Sequence, residues 1–137
     1  MVSIIRMTLP STPKSIGRVE GFLRKVSKKV HFDEIQMHKL MVCLTEAVNN
    51  AIIHGNKSDL KKKVKVVCDC LPELLEFTIT DEGKGFKPDK VKNPLHEENL
   101  LNTSGRGIFL MRTLMDKVEF ERVKGGATVR FVLELRK

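Results

Sequence analysis

The stretch Leu44 to Asn56, LTEAVNNAIIHGN, reads as the inside of a helix, yet it seats a carboxylate and two adjacent amides among residues that belong in a core. Met37, Leu40, Met41, Leu44, Val48, Ala51 and Ile52 recur at spacings of three and four, the period of one helix face. Asp33 is the expected N-cap, and His54-Gly55-Asn56 the expected close, with Gly55 free to take the left-handed conformation. Glu46 and Asn50 are four apart, so they stand one above the other beside the apolar stripe. An Asn side-chain oxygen is a hard neutral donor, suited to one position on a Mg²⁺ whose other ligands are water and phosphate oxygens. A Glu one turn away can hold a water or a hydroxyl as base. Taken alone, Glu-x-x-x-Asn is a weak signal and reads better as an exposed helix edge.

Working outward, VSIIRMTL is rich in β-branched residues and reads as a strand, PSTPK as a turn, and residues 16–30 as a basic amphipathic helix. Beyond the LTEAVNN helix, VKVVCDCL and LLEFTIT are strand-like runs separated by Pro72-Glu73, an antiparallel hairpin. Asp81 ends the second run and opens DEGKGF. A carboxylate there can accept from an exocyclic amine such as that of adenine, and glycines beside it let a flat base approach the backbone. An ordinary Asp-Gly turn has the same residues. Residues 87–104 are polar and lack a clear period, the pattern of a long loop or lid. Gly105-Arg106-Gly107 then opens a helix through Ile108, Leu110, Met111, Leu114 and Met115. Free N–H groups at such a start form an anion site, although a flexible helix end fits the same residues. VEFERV, a Gly125-Gly126 turn and ATVRFVLEL close the chain as a second hairpin.

The order strand, helix, helix, two strands, lid, helix, two strands implies a two-layer α/β sandwich, its helices on one face of a mixed, mostly antiparallel sheet. At 137 residues the chain is read as one domain, 1–137. Hydrophobic residues make up 41% and no apolar run is long enough to span a bilayer, so no membrane role is expected. The start carries no signal-peptide pattern, which points to the cytoplasm. Cys43, Cys68 and Cys70 read as reduced core thiols, since no second Cys or His pair completes a zinc set. The net charge of +8 invites nucleic acid as a partner. No nucleic-acid motif accompanies the run KSDLKKKVK, and there is no Tyr or Trp to stack on bases, so direct nucleic-acid binding is not expected.

The order and spacing of these weak signals are specific together. Glu-x-x-x-Asn on a helix, Asp-x-Gly-x-Gly after a strand, a polar lid, Gly-x-Gly opening a helix and Thr128 after a Gly-Gly turn resemble the Bergerat-type ATP-binding fold of gyrase, histidine kinases and mismatch-repair ATPases. LTEAVNNAIIHGN, DEGKGF, SGRGIFLMRTLMDKV and GGATVRF more closely resemble the bacterial anti-sigma factor serine-protein kinases, over nearly the whole chain. That resemblance implies ATP and Mg²⁺ as cofactors, Asn50 on the metal and Glu46 as base. It implies that Asp81 reads the adenine amine, with Gly83 and Gly85 flanking the base and Thr128 supporting the pocket. Ser104, Gly105, Arg106 and Gly107 would face the phosphates, and His54 joins the nucleotide set from the helix end. Asn49 has no assigned task.

A free-standing ATP fold must act on something that comes to it. The resemblance implies phosphorylation of a small anti-sigma-factor antagonist, sequestration of a sigma factor, and a homodimer. A second reading is a nucleotide-gated binding module that holds a partner without transferring phosphate. The basic helix, with Arg18, Arg24, Lys25, Lys28 and Lys29, is either a surface for an acidic partner or a solvated face.

Overall fold

The alternating run SIIRMTLP forms β1 (Ser3–Pro10), and its inward residues Ile5, Met7 and Leu9 meet the core while Ile4, Arg6 and Thr8 face solvent. The computed structural model describes residues 3–83 and 103–135. Pro13–Arg18 make a 3₁₀ turn that runs straight into α1 (Val19–Ser27). Phe22, Leu23 and Val26 of α1 are buried, and Arg24, Lys25, Lys28 and Lys29 are exposed. The basic helix expected over residues 16–30 is thus a 3₁₀ turn and a nine-residue α-helix.

α2 (Glu34–Asn50) starts at a complete capping box. The Gln36 backbone N–H donates to Asp33 Oδ1 at 2.7 Å, and the Asp33 N–H donates to Gln36 Oε1 at 2.8 Å. The helix then widens into one π turn, Ala51–Gly55, where the Asn56 N–H reaches back to the Ala51 carbonyl at 2.8 Å. Gly55 does not take the left-handed conformation expected of it: after the helix the residues with positive φ are Lys57 (51°) and Ser58 (58°). The wide turn displaces the chain reversal by two residues, so the glycine at 55 serves another purpose.

β2 (Lys63–Cys70) and β3 (Leu74–Asp81) form the expected hairpin, α3 (Thr103–Leu114) follows, and β4 (Lys117–Val123) and β5 (Gly126–Glu134) close the fold around Gly125 at φ 81°. The strand order is β1-β2-β3-β5-β4 and every pairing among the described strands is antiparallel. The helices cover one face, giving the two-layer sandwich. Phe77 and Phe131, paired across β3 and β5, stack at 5.1 Å with Phe22 of α1 tilted 6.5 Å from Phe77. On the open face Arg130 pairs with Glu76 at 3.0 Å, both partly exposed, a contact worth little to stability. The three cysteines are buried and free. Burial pushes the Cys43 thiol up to about 12, the Glu46 charge adding to it, and burial also raises Cys68 and Cys70, so all three are inert core thiols.

Candidate active site

A cleft of ≈ 460 Å³, open solvent included, lies between α2 and the sheet. Its helix wall is Ala47, Asn50, Ala51 and Gly55, and its floor is Ile79, Ala127, Thr128 and Val129, with Met111 from α3 and Phe120 and Glu121 from β4. Ala47, Ala51 and Gly55 are spaced four apart and all small, so one stripe of the helix stands back from the sheet. The stripe is visible in the sequence, but only once α2 is known to pack a cleft along it.

Asp81 ends β3 on the helix side of the sheet and borders one end of the cleft. The Gly83 N–H donates to Asp81 Oδ1 at 2.9 Å. Burial raises the Asp81 carboxyl above the usual value, and the backbone N–H groups of Gly83 and Ala127, then Lys62, draw it part of the way back. A methyl group on Gly55 would run into the Asp81 carboxylate, one on Gly83 into the Gly55 carbonyl, and one on Gly126 into the Asp81 carbonyl. The three glycines let the ends of α2, β3 and β5 close around one carboxylate. This is why residue 55 is glycine.

Asn56, only 1% exposed, ties this end together. Its Nδ2 donates to Ser11 Oγ at 2.9 Å and to the Lys63 carbonyl at 3.0 Å, and the Glu82 N–H donates to its Oδ1 at 2.8 Å. The Lys63 N–H donates to the Glu82 carboxylate alongside. Asn56 was read from the sequence only as a helix-end residue, because its partners lie up to 45 positions away.

At the other end Asn50 is 8% exposed, and its Oδ1 is buried with no hydrogen-bond partner. A buried amide oxygen left unpaired is costly, on the order of 1–3 kcal/mol. It suits a hard cation or a donor that arrives with a ligand. Among the described residues no group of three His, Cys, Asp or Glu could cage a metal, so a cation at Asn50 would complete its shell with phosphate oxygens and water. Half-buried Glu46 stands one turn earlier. A Cβ on Gly107, in the first turns of α3, would lie 2.9 Å from Glu46 Oε2 and 3.1 Å from Asn50 Nδ2. The glycine therefore lets α3 pack closely, at its fifth residue, against the Glu46–Asn50 pair.

The remaining expected residues divide by position. Ser104 and Gly105 lie in the first turn of α3, with Arg106 exposed beside them. Thr128 is buried and borders the cleft, and its hydroxyl lies 3.1 Å from that of Thr80. Strand alternation sets Ala127, the register partner of Asp81, on the carboxylate's side. His54 is exposed on the π turn and outside the cleft lining, and Asn49 is half-buried. Gly85 and most of the lid lie outside the described residues. Phe120 and Met111 were read only as strand and core. Phe120 borders the cleft beside Val129 with the Arg112 guanidinium 5.6 Å from its ring centroid.

An apolar slot with a half-buried carboxylate at one end, and at the other an unpaired amide oxygen, a carboxylate and the first turns of a helix, is the outline of a nucleotide site. The chain belongs to the family described as the histidine kinase-like ATPase domain, which matches residues 9–133. Within that class the relatives it matches include proteins named as serine-protein kinases and as an anti-sigma factor. Serine-protein kinase RsbW of Bacillus licheniformis is 30% identical over 131 residues, covering 91% of this chain and 81% of that protein. The anti-sigma F factor of Oceanobacillus iheyensis is 35% identical over 86 residues, 61% of this chain and 59% of that protein. Among solved structures, the RsbU and RsbW domains of a Mycobacterium tuberculosis protein superpose with a TM-score of 0.71 at 18% identity, covering 97% of this chain and 32% of that one.

Proposed function

We propose that this chain binds ATP with its adenine at Asp81 and its phosphates at the start of α3, and transfers the γ-phosphoryl group to a serine or threonine of a small anti-sigma-factor antagonist. Without that antagonist it holds a sigma factor. The observation that carries the reading is the unpaired, buried Asn50 Oδ1 placed with Glu46 against Gly107. Asn50 and phosphate oxygens would hold Mg²⁺, which supplies charge neutralisation at the transferring group. Glu46 takes the proton of the incoming hydroxyl as its oxygen bonds to phosphorus, and the bond to ADP breaks with its electron pair leaving on ADP. Ser104, Gly105, Arg106 and Gly107 face the phosphates, Gly83 and Gly85 flank the base, and Thr128 supports the pocket from the sheet. His54 approaches the nucleotide only from outside the described cleft. The chain works as a single domain in the cytoplasm, as a homodimer, with protein rather than nucleic acid or membrane as partner. In support, no helix among the described residues is long and apolar enough to cross a membrane.

Glu46→Gln tests the assignment. It keeps size and reach but removes the basic oxygen, so labelled-phosphate transfer should fall by the roughly 10²- to 10⁴-fold typical of general-base loss. ATP affinity should stay within a few-fold, because the phosphates and metal are held elsewhere. Wild-type protein that binds ATP and antagonist tightly yet transfers nothing, with Glu46→Gln indistinguishable from it, would leave a nucleotide-gated binding module.

A further inference from the structure

Ile35, Lys39, Val42, Glu46, Asn49 and Ile53 follow one another along α2 and its π turn at alternating intervals of four and three. This is the spacing of a seam on which a second helix lies. The stripe runs opposite the side that buries Leu40, Leu44, Ala47 and Val48. Its two ends are large aliphatic side chains in water, Ile35 at 69% exposure and Ile53 at 44%, and its middle is half-buried. Glu46 lies within it.

We propose that this outward stripe of α2 is the seat of the protein substrate, and that its occupant is an amphipathic helix or helix edge carrying the acceptor hydroxyl. The inference rests on the kinase reading, because it takes Glu46 as the group the acceptor must reach. With the core on one side of Glu46 and Gly107 of α3 against its carboxylate, a hydroxyl that reaches the base crosses the remaining, outward face. At about 1.5 Å per residue Val42 lies about 6 Å from Glu46 along the axis and Ile53 about 10 Å on the other side. The substrate segment therefore carries apolar residues about one turn from its serine or threonine in one direction and about two turns in the other. Contact with Ile35 and Ile53 contributes to binding, whereas Glu46 contributes to the chemical step.

The experiment uses the full chain and the purified antagonist protein of its own host, with labelled ATP. Ile35→Glu and Ile53→Glu should each raise the KM for the antagonist at least tenfold, with kcat and ATP affinity within about threefold of wild type and thermal unfolding unchanged. Leu60→Glu, equally exposed at 64% but on the loop before β2, should change none of these. A photo-crosslinking residue at position 35 or 53 should capture the antagonist, and one at position 60 should not. An unchanged KM in both stripe variants overturns the proposal, as does conversion of a dimer to monomers with KM unchanged, which would make the stripe a seat for a second copy. If the wild-type chain binds ATP but transfers nothing, the kinase reading falls. The crosslinks then decide the surface alone, capture at 35 and 53 upholding it and no capture there overturning it.

Discussion

Asn50 and Asn56 lie six residues apart at the end of the same helix, both nearly buried, and they spend their amides in opposite ways. Asn56 donates twice and accepts once within the protein, joining the turn after β1, the start of β2 and the residue after β3. Asn50 leaves its oxygen without a partner. A buried polar group is ordinarily paired, and one left unpaired in a folded chain marks a place where a ligand can supply the partner. The Asp81 end of the cleft is thus prebuilt by its own hydrogen bonds and glycine contacts, whereas the Asn50 end, on the proposed reading, is completed by what binds there.

The largest effect should separate the two asparagines. Asn56→Ala removes three hydrogen bonds, one buried and two part-buried, and leaves the Lys63 carbonyl and the Glu82 N–H without that partner, so the apo chain should lose about 3 kcal/mol. Asn50→Ala removes an oxygen that had no partner, and apo stability should change by less than about 1 kcal/mol. Magnesium-dependent ATP affinity should fall by at least the roughly 10- to 100-fold that follows damage to a metal shell. Urea unfolding without nucleotide, with calorimetric titration of ATP, measures both. Equal losses of apo stability in the two variants would erase the distinction.

Two glycines sharpen the contrast further. At Gly107 an added methyl meets the tip of the Glu46 carboxylate and the Asn50 amide, which can move aside, so Gly107→Ala should fold. Displacing those groups by a few tenths of an ångström to an ångström should still lower phosphoryl transfer by about 10²-fold, with ATP affinity less affected. Gly55→Ala pushes on the Asp81 carboxylate and should lower ATP affinity with little change in kcat at saturating nucleotide. Steady-state kinetics of the two variants should show that crossed pattern. The same kcat and KM change in both would mean that the two ends are not separate.

The Asn50 end of the cleft was the more legible in the sequence, because its information is local. Glu46 and Asn50 are one helical turn apart, Asp33 stands at the expected cap of their helix, and Gly105-Arg106-Gly107 precedes an apolar period. The hairpins were legible for the same reason. The Asp81 end is assembled from residues 11, 55, 56, 82, 83 and 126, and no spacing rule connects Asn56 to Ser11. The π turn also escaped notice, since glycine at 55 is the ordinary signal of a left-handed helix end, and it is the approach of Asp81 that requires it. Nor does the sequence indicate that β5 inserts between β3 and β4, a consequence of pairing across 48 residues at Thr80 and Thr128.

The smallest effect concerns Asp81 and has a definite sign. Its folded-state carboxyl is raised, chiefly by burial, so in the window from the ordinary carboxylate value upward the native chain binds more protons than the unfolded one. Stability therefore falls as pH rises through that window, and the loss is complete above the raised value. Asp81→Asn cannot ionise and should lack this component. Near neutral pH the variant's apo chain should be the more stable of the two, the gap closing as pH falls below the ordinary carboxylate range. Its ATP affinity should nonetheless drop strongly, because an amide can turn a donor toward the adenine amine where an ionised carboxylate only accepts. Paired denaturation curves from acid to neutral pH, with ATP and GTP titrations at neutral pH, test both halves. A variant less stable than wild type at neutral pH would show that the hydrogen bonds from Gly83 and Ala127 outweigh the burial of the charge. Unchanged ATP affinity, with GTP bound equally well, would remove Asp81 as the reader of the base.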